Sequence, residues 1–296
     1  MTVSIGLTDA ISRQDWLNPA EETLQKTLHR AFESGGEAGV RIKDALHGTW
    51  IGHPLHVILT DIPLGAWTSA MVFDAVAAIS DIEWMDSAAD ACIGVGLAGA
   101  ILAAITGLTD WQDIDPPARR VGLVHGLMNL TAAALMGTSL LTRRREMRAS
   151  GKGLGLLGFL VATLAARLGG NLVYEHRIGV DRSAEKNLPQ EFRRAAAAAD
   201  LEEGKPLKVS IDDTPIVLIK SGVNIFALAE TCSHLGGPLA EGKVEGGTIQ
   251  CPWHSSRFDL KDGSVVNGPA VHPQRCLEVR LRDGQVEVRR RELQAY

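Results

Sequence analysis

Net charge is what this sequence has least of. Its 30 Lys and Arg stand against 35 Asp and Glu, a formal −5 over 296 residues. So mild a balance gives no reason to expect nucleic acid as a partner. Cysteine is scarce too, with only Cys92, Cys232, Cys251 and Cys276. One sits in an apolar run and two in a metal-ligand spacing. That argues against a disulfide framework and fits a reducing compartment. The opening residues, MTVSIGLTDAISRQDW, lack the basic and apolar regions of a secretory signal, and no twin-arginine export signal is present. A dinucleotide site is missing as well. The G-x-G-x-x-G match within GKGLGLLG (151–158) has no strand before it and opens an apolar run. Its glycines read as helix-packing positions instead.

What is present is a chain of two halves. Four apolar stretches, at about 57–79, 88–109, 121–142 and 154–175, each have roughly the twenty residues that cross a hydrocarbon core. Small residues in the second allow close helix contact. The spans carry Asp61, Asp74 and Arg167, which must avoid lipid, and Asp61 with Arg167 is the expected ion pair. Pro63 is expected to kink the first span. Ahead of the spans, residues 19–34 read as an amphipathic helix with Pro19 in its first turn and Asn18 as cap.

From residue 207 the pattern changes to short alternating strands: LKVSI, PIVLIK, IFALAE, TIQC, RFDL, LEVRLR and QVEVRR. DDTP, SGVN, KDG and RDG separate several of them as turns. The expected fold class is therefore multidomain, an all-α four-helix transmembrane bundle followed by a small all-β domain. The expected boundaries are a polar segment at 1–46, the membrane domain at 47–178, a linker at 179–206 and the β domain at 207–296.

The β half carries the chemistry. Cys232-Ser-His234 is followed, with sixteen residues between, by Cys251-Pro-Trp-His254; Leu-Gly-Gly comes directly after His234. Each motif offers one thiolate and one imidazole from a tight turn. Zinc in a Cys₂His₂ site is the inorganic alternative. Zinc fingers, however, put both cysteines on one turn and both histidines on a helix, whereas here each turn carries one of each. With Gly236, Gly242, Pro252, Phe258-Asp259, Gly263 and Gly268-Pro269-Ala270, this region resembles the Rieske ferredoxins over about residues 207–291. The resemblance implies a [2Fe–2S] cluster with Cys232 and Cys251 on one iron and His234 and His254 on the other. It implies too that the loop containing Pro269 covers the cluster, and that the Ser256 hydroxyl bonds to cluster sulfur.

Two departures lower the expected potential. High-potential members carry a disulfide between the cluster loops, and those positions here are Gly237 and Trp253. They also carry a tyrosine hydroxyl where this chain has Phe258. Fewer hydrogen bonds to sulfur stabilise the reduced state less, so a midpoint of roughly −150 to 0 mV is expected, the low end of the Rieske range. After His254 the only histidine is His272. A mononuclear two-His, one-carboxylate iron site therefore cannot follow the cluster. The domain reads as a carrier, not a complete oxygenase.

Histidines also gather in the membrane half. His53 and His56 precede or open the first span, His125 opens the third, and His176 closes the fourth. With alternating spans, all four reach one membrane face, where the β domain is attached. Paired histidines on facing helices suit a b-type haem, another metal ion or a quinone. This half resembles an uncharacterised family of four-helix membrane proteins, some fused to Rieske modules. Gly52-His53-Pro54-Leu55-His56, Pro63-Leu64-Gly65, Asp74, Gly169-Gly170 and Tyr174 carry that resemblance. Basic residues nearly balance across the two faces. The missing disulfide and export signal then favour a multi-pass membrane protein with a cytoplasmic cluster. The expected function is a membrane-anchored one-electron carrier, exchanging electrons with a reductase or oxygenase component. A purely anchoring membrane half and a redox sensor are the alternatives.

Overall fold

The computed structural model describes residues 3–80, 82–145, 147–184 and 187–291. Residues 292–296, assigned by sequence to the β domain, lie outside the described residues. The chain forms two units. One comprises Met1–Gly39 and Pro54–Ile178, the other Val40–His53 and Gly179–Tyr296.

The first unit is helical. Short helices α1 (Val3–Ser12) and α2 (Asn18–Glu33) lead to α3 (Gly36–His47), whose later residues belong to the second unit. Pro19 lies in the first turn of α2 as expected, but Asn18 is already helical and Leu17 takes the cap position. The four apolar runs become α4 (Leu55–Ala77), α5 (Trp84–Trp111), α6 (Ala118–Arg143) and α7 (Arg148–Tyr174). All four are long and apolar enough to span a bilayer. Within this unit α4 packs closely on α5 and α6 on α7, and contact between the two hairpins is much sparser. Large apolar side chains such as Ile101, Ile105, Leu130, Leu160 and Leu164 face outward, as a lipid-facing surface requires. Inside, Ala70, Ala89, Ala132 and Ala162 let backbones approach around Trp67 and Met136.

Pro63 does not break α4, which runs unbroken from Leu55 to Ala77. Its ring packs beside Gly99, where a Cβ would stand 3.0 Å from Pro63 Cδ. The expected Asp61–Arg167 pair does not form: both residues are exposed, and among the described residues neither joins an ion pair. The buried pair is Asp74 with Arg143. Arg143 Nη1 donates to Asp74 Oδ1 at 2.8 Å, and its Nη2 donates to Asp74 Oδ2. Asp90 and Asp86 on α5 and Arg148 and Lys152 on α7 extend the network. Gly151 and Gly155 lie against Arg143 and Ser139, and Gly158 lies against Met136. These glycines serve helix packing, as their sequence context indicates.

The second unit is a pair of antiparallel sheets. Its strands are β1 (Arg193–Ala197), β2 (Pro206–Ile211), β3 (Thr214–Ser221), β4 (Asn224–Ala229), β5 (Lys243–Glu245), β6 (Thr248–Gln250), β7 (Arg257–Asp259), β8 (Val265–Asn267), β9 (Cys276–Arg282) and β10 (Gln285–Arg290). The larger sheet has the order β1-β10-β9-β4-β3-β2 and the smaller β5-β6-β7-β8. Strand β3 alternates its burial between two cores. Ile216 and Leu218 face one, and Val217 and Ile219 face the other, which also holds Phe258, Cys232 and Cys251. Two boundaries differ from the expected ones. Arg193–Ala197, placed by sequence in a linker, are strand β1 and pair with β10. Residues 40–53, split by sequence between a polar segment and the membrane domain, belong with the β unit.

Candidate metal-cluster site

Two loops of the second unit are built alike. In the first, Cys232 N donates to Gly237 O at 2.9 Å, and Gly236 N donates back to Cys232 O at 3.0 Å. In the second, Cys251 N donates to Ser256 O at 2.8 Å, and Ser255 N donates to Cys251 O at 3.1 Å. The returning residues Gly236 and Ser255 both take positive φ, at 87° and 64°. Each loop thus closes a short ring that exposes backbone N–H groups inward.

The structure brings the expected residues together. Cys232 and Cys251 are buried, and their thiols adjoin. The rings of His234 and His254 stand 5.1 Å apart, nearly perpendicular, and both are half-buried. Electrostatics follow the geometry. The hydrogen bond with Cys251, then burial, pushes the Cys232 thiol well up. The same bond brings Cys251 down to about 7, aided by the N–H groups of Trp253 and His254. Paired sulfurs with converging N–H donors and two imidazoles toward solvent suit a metal–sulfur group. By contrast, burial pushes Cys276 up to about 12, which leaves it inert.

Ser256 is fully buried, and its Oγ accepts the N–H of Ala270 at 3.0 Å. That bond ties the second loop to the buried Pro269 loop. Phe258, where a hydroxyl would stand in high-potential relatives, is sealed in the core. At Gly237 a Cβ would lie 2.7 Å from Cys251 Sγ and 3.1 Å from the Trp253 ring. No larger side chain fits there.

Two residues were missed by sequence. Gln274 is buried, accepts Ser233 N–H at 2.9 Å, and donates to Ala229 O at 2.6 Å and Thr231 O at 2.7 Å. It braces the first loop from behind. Asp44, on α3, accepts Gly268 N–H at 2.8 Å and Asn267 Nδ2 at 3.0 Å. It holds the Pro269 loop from outside. Hydrogen bonds to a charged group contribute about 1.5–3 kcal/mol each when buried, and less at this half-exposed position. Asp44→Ala is therefore expected to loosen that loop and speed loss of visible absorbance in air severalfold. An unchanged bleaching rate would show that Asp44 does not guard the site.

The membrane histidines separate. His56 and His125 lie ring to ring, with centroids 6.5 Å apart. His176 follows the end of α7, half-buried, and His53 belongs to the second unit.

Comparison with known proteins matches two families. Residues 191–281 match the Rieske [2Fe–2S] domain, and residues 52–182 match the family described as "Predicted membrane protein (DUF2231)". The ferredoxin subunit of anthranilate 1,2-dioxygenase from Burkholderia cepacia is 34% identical over 98 residues, 33% of this chain and 91% of that protein. Ferredoxin CarAc of Metapseudomonas resinovorans is 29% identical over 102 residues, 34% of this chain and 95% of that protein. Among solved structures, the ferredoxin of carbazole 1,9a-dioxygenase from Nocardioides aromaticivorans IC177 is 26% identical. It covers 34% of this chain and 100% of its own, with a TM-score of 0.33.

Proposed function

Because this chain belongs, through its C-terminal third, to the Rieske [2Fe–2S] family, we propose that Cys232, His234, Cys251 and His254 ligate its cluster. The chain then works as a membrane-tethered one-electron carrier. The observation that carries the reading is the pair of matched loops, with two buried thiols that receive backbone N–H bonds and two imidazoles that reach toward solvent. When bound, such a cluster supplies a single-electron couple. The chain's part is to hold and tune it. Backbone N–H groups favour negative charge on the sulfurs, and in this reading the Ser256 hydroxyl, whose oxygen accepts from Ala270 N–H, donates to the cluster while the Pro269 loop covers it. The half-exposed edges of His234 and His254 give a partner its approach.

The partner we propose is a reductase or oxygenase component. It is suggested by the relative that is itself a dioxygenase ferredoxin subunit. We place the cluster on the cytoplasmic side, which the lack of a loop disulfide favours: all four cysteines are free.

A redox titration followed by electron paramagnetic resonance tests the carrier. The expected midpoint is roughly −150 to 0 mV, and a value above roughly +200 mV would sink the low-potential reading. Ser256→Ala is expected to lower the midpoint by roughly 65–130 mV. That is the one-electron equivalent of about 1.5–3 kcal/mol for a hydrogen bond to a charged group. No shift in this variant would remove Ser256 from the site.

A further inference from the structure

The four spans contain a repeat. On α4, His56 and Asp74 stand eighteen residues apart, and on α6 the same interval separates His125 from Arg143. On α5, Ala103 and Gly107 are four residues apart, as are Ala165 and Gly169 on α7. These positions meet in pairs. His56 Nδ1 lies 2.8 Å from Ala103 O, and a Cβ at Gly107 would stand 2.7 Å from the ring's Cε1. His125 Nδ1 lies 2.9 Å from Ala165 O, and a Cβ at Gly169 would stand 3.0 Å from its Cε1. Each hairpin therefore holds one imidazole in the same seat, fixed by a carbonyl and given room by a glycine.

The two seats face each other. A carbonyl can only accept, so Nδ1 is the donor in both rings, which leaves Nε2 as the nitrogen available to a ligand. That is the second-shell pattern of a metal-ligating histidine. With metal–nitrogen bonds of roughly 2 Å, one metal holds two facing imidazole nitrogens about 4 Å apart. The centroid distance of 6.5 Å between perpendicular rings accommodates this.

We propose that His56 and His125 are the two axial ligands of a single b-type haem seated between the hairpins. Haem fits better than a bare ion for a reason of ligand count. The macrocycle supplies most of the iron's ligands, so two histidines complete it. A bare ion needs more protein ligands, and among the described residues no group of three His, Cys, Asp or Glu side chains forms such a site. Helix contact is sparser between the hairpins than within each of them. Asn129 Nδ2 lies 3.2 Å from His125 Nε2 and 3.0 Å from His125 O. It gives up the ring nitrogen on ligation and keeps the carbonyl. His53 and His176 take no part.

The proposal adds a second redox centre to the carrier reading, and the assay separates the two. The full chain is produced in haem-replete cells and purified in detergent. Haem is measured by its Soret and α bands and by pyridine haemochrome, and the cluster by paramagnetic resonance on the same sample. One haem per chain is expected. His56→Ala and His125→Ala should each reduce occupancy at least tenfold, while His53→Ala and His176→Ala leave it unchanged. His125→Met should keep the haem but raise its potential, as histidine–methionine ligation does. That separates ligand loss from misfolding. A cluster signal without haem, haem that survives both alanine variants, an unshifted His125→Met potential, or a quinone or bare ion at the pair would each overturn the proposal. Haem without a cluster signal would support it and overturn the carrier reading instead.

Discussion

Arg143→Met is expected to destabilise the helical unit by about 3–5 kcal/mol, the loss typical of breaking a buried ion pair from one side. The Arg143 side chain is fully buried. It donates to both oxygens of Asp74, to Asp90 Oδ1 at 3.2 Å and, through Nε, to Ser139 Oγ at 3.1 Å. Removing it leaves Asp74 buried without its main partner, and desolvation of that carboxylate sets the magnitude. The network takes a residue from every span: Asp74, Asp86 with Asp90, Arg143, and Arg148 with Lys152. It therefore latches the end of the bundle opposite the histidines, about 27 Å away along α4 at 1.5 Å per residue. Pairing Arg143→Met with Asp74→Leu should recover part of the loss, because an apolar pair of similar size avoids the buried charge. Unfolding in detergent micelles reads both variants. A loss below about 1 kcal/mol in the single variant would mean that water already solvates Asp74.

Why this pair escaped the sequence is instructive. Arg143 stands at the head of a basic run, where it reads as a loop charge. The end of α6 in fact carries it into the bundle, and glycines at 151 and 155 clear the space. Asp61 and Arg167 looked matched in depth, but depth says nothing of rotation about the helix axis, and both point outward. The spans themselves were legible, since runs of apolar residues need no partner to be recognised. The cluster loops were legible for another reason. Ligand identity and spacing are local, and the structure brings both thiols and both imidazoles together. The braces were not. Gln274 lies forty-one residues beyond Ser233, and Asp44 lies 224 residues before Gly268. Neither contact leaves a local pattern. Strand β1 hides likewise, because its alanines acquire strand character only through pairing with β10.

The histidine pair shows the same limit from the other side. Four histidines at one level invited a four-residue site. The ring-to-ring approach of His56 and His125, each seated against a carbonyl at Ala103 or Ala165, brings two of them together. Outside the histidine seats, where His, Ala and Gly recur unchanged, the repeat changes its large residues: Trp67 packs near Gly96 as Met136 packs near Gly158. It is a repeat of roles, in which a large side chain faces a glycine, and it becomes visible only through contacts.

Gln274→Leu should cost the cluster unit several kcal/mol and much of its cluster. The glutamine is buried and makes three hydrogen bonds with the strand end and loop that lead to Cys232 and His234. Leucine fills the space but leaves Ser233 N–H and the carbonyls of Ala229 and Thr231 without this partner. A buried polar group stripped of its partner costs about 1–3 kcal/mol, and water has little access here. The consequence is local as well as global. Ser233 sits between a thiol and an imidazole that must keep their geometry, so a loop free to shift presents the pair poorly. Iron content per chain should fall severalfold, and the melting temperature of the cluster unit should drop by several degrees. Gln274→Glu distinguishes the two effects, because its carboxylate still accepts from Ser233 but can no longer donate to the two carbonyls. It should retain more iron than the leucine variant while losing comparable stability. Equal iron content in both variants and the parent would show that the first loop holds its shape without this brace.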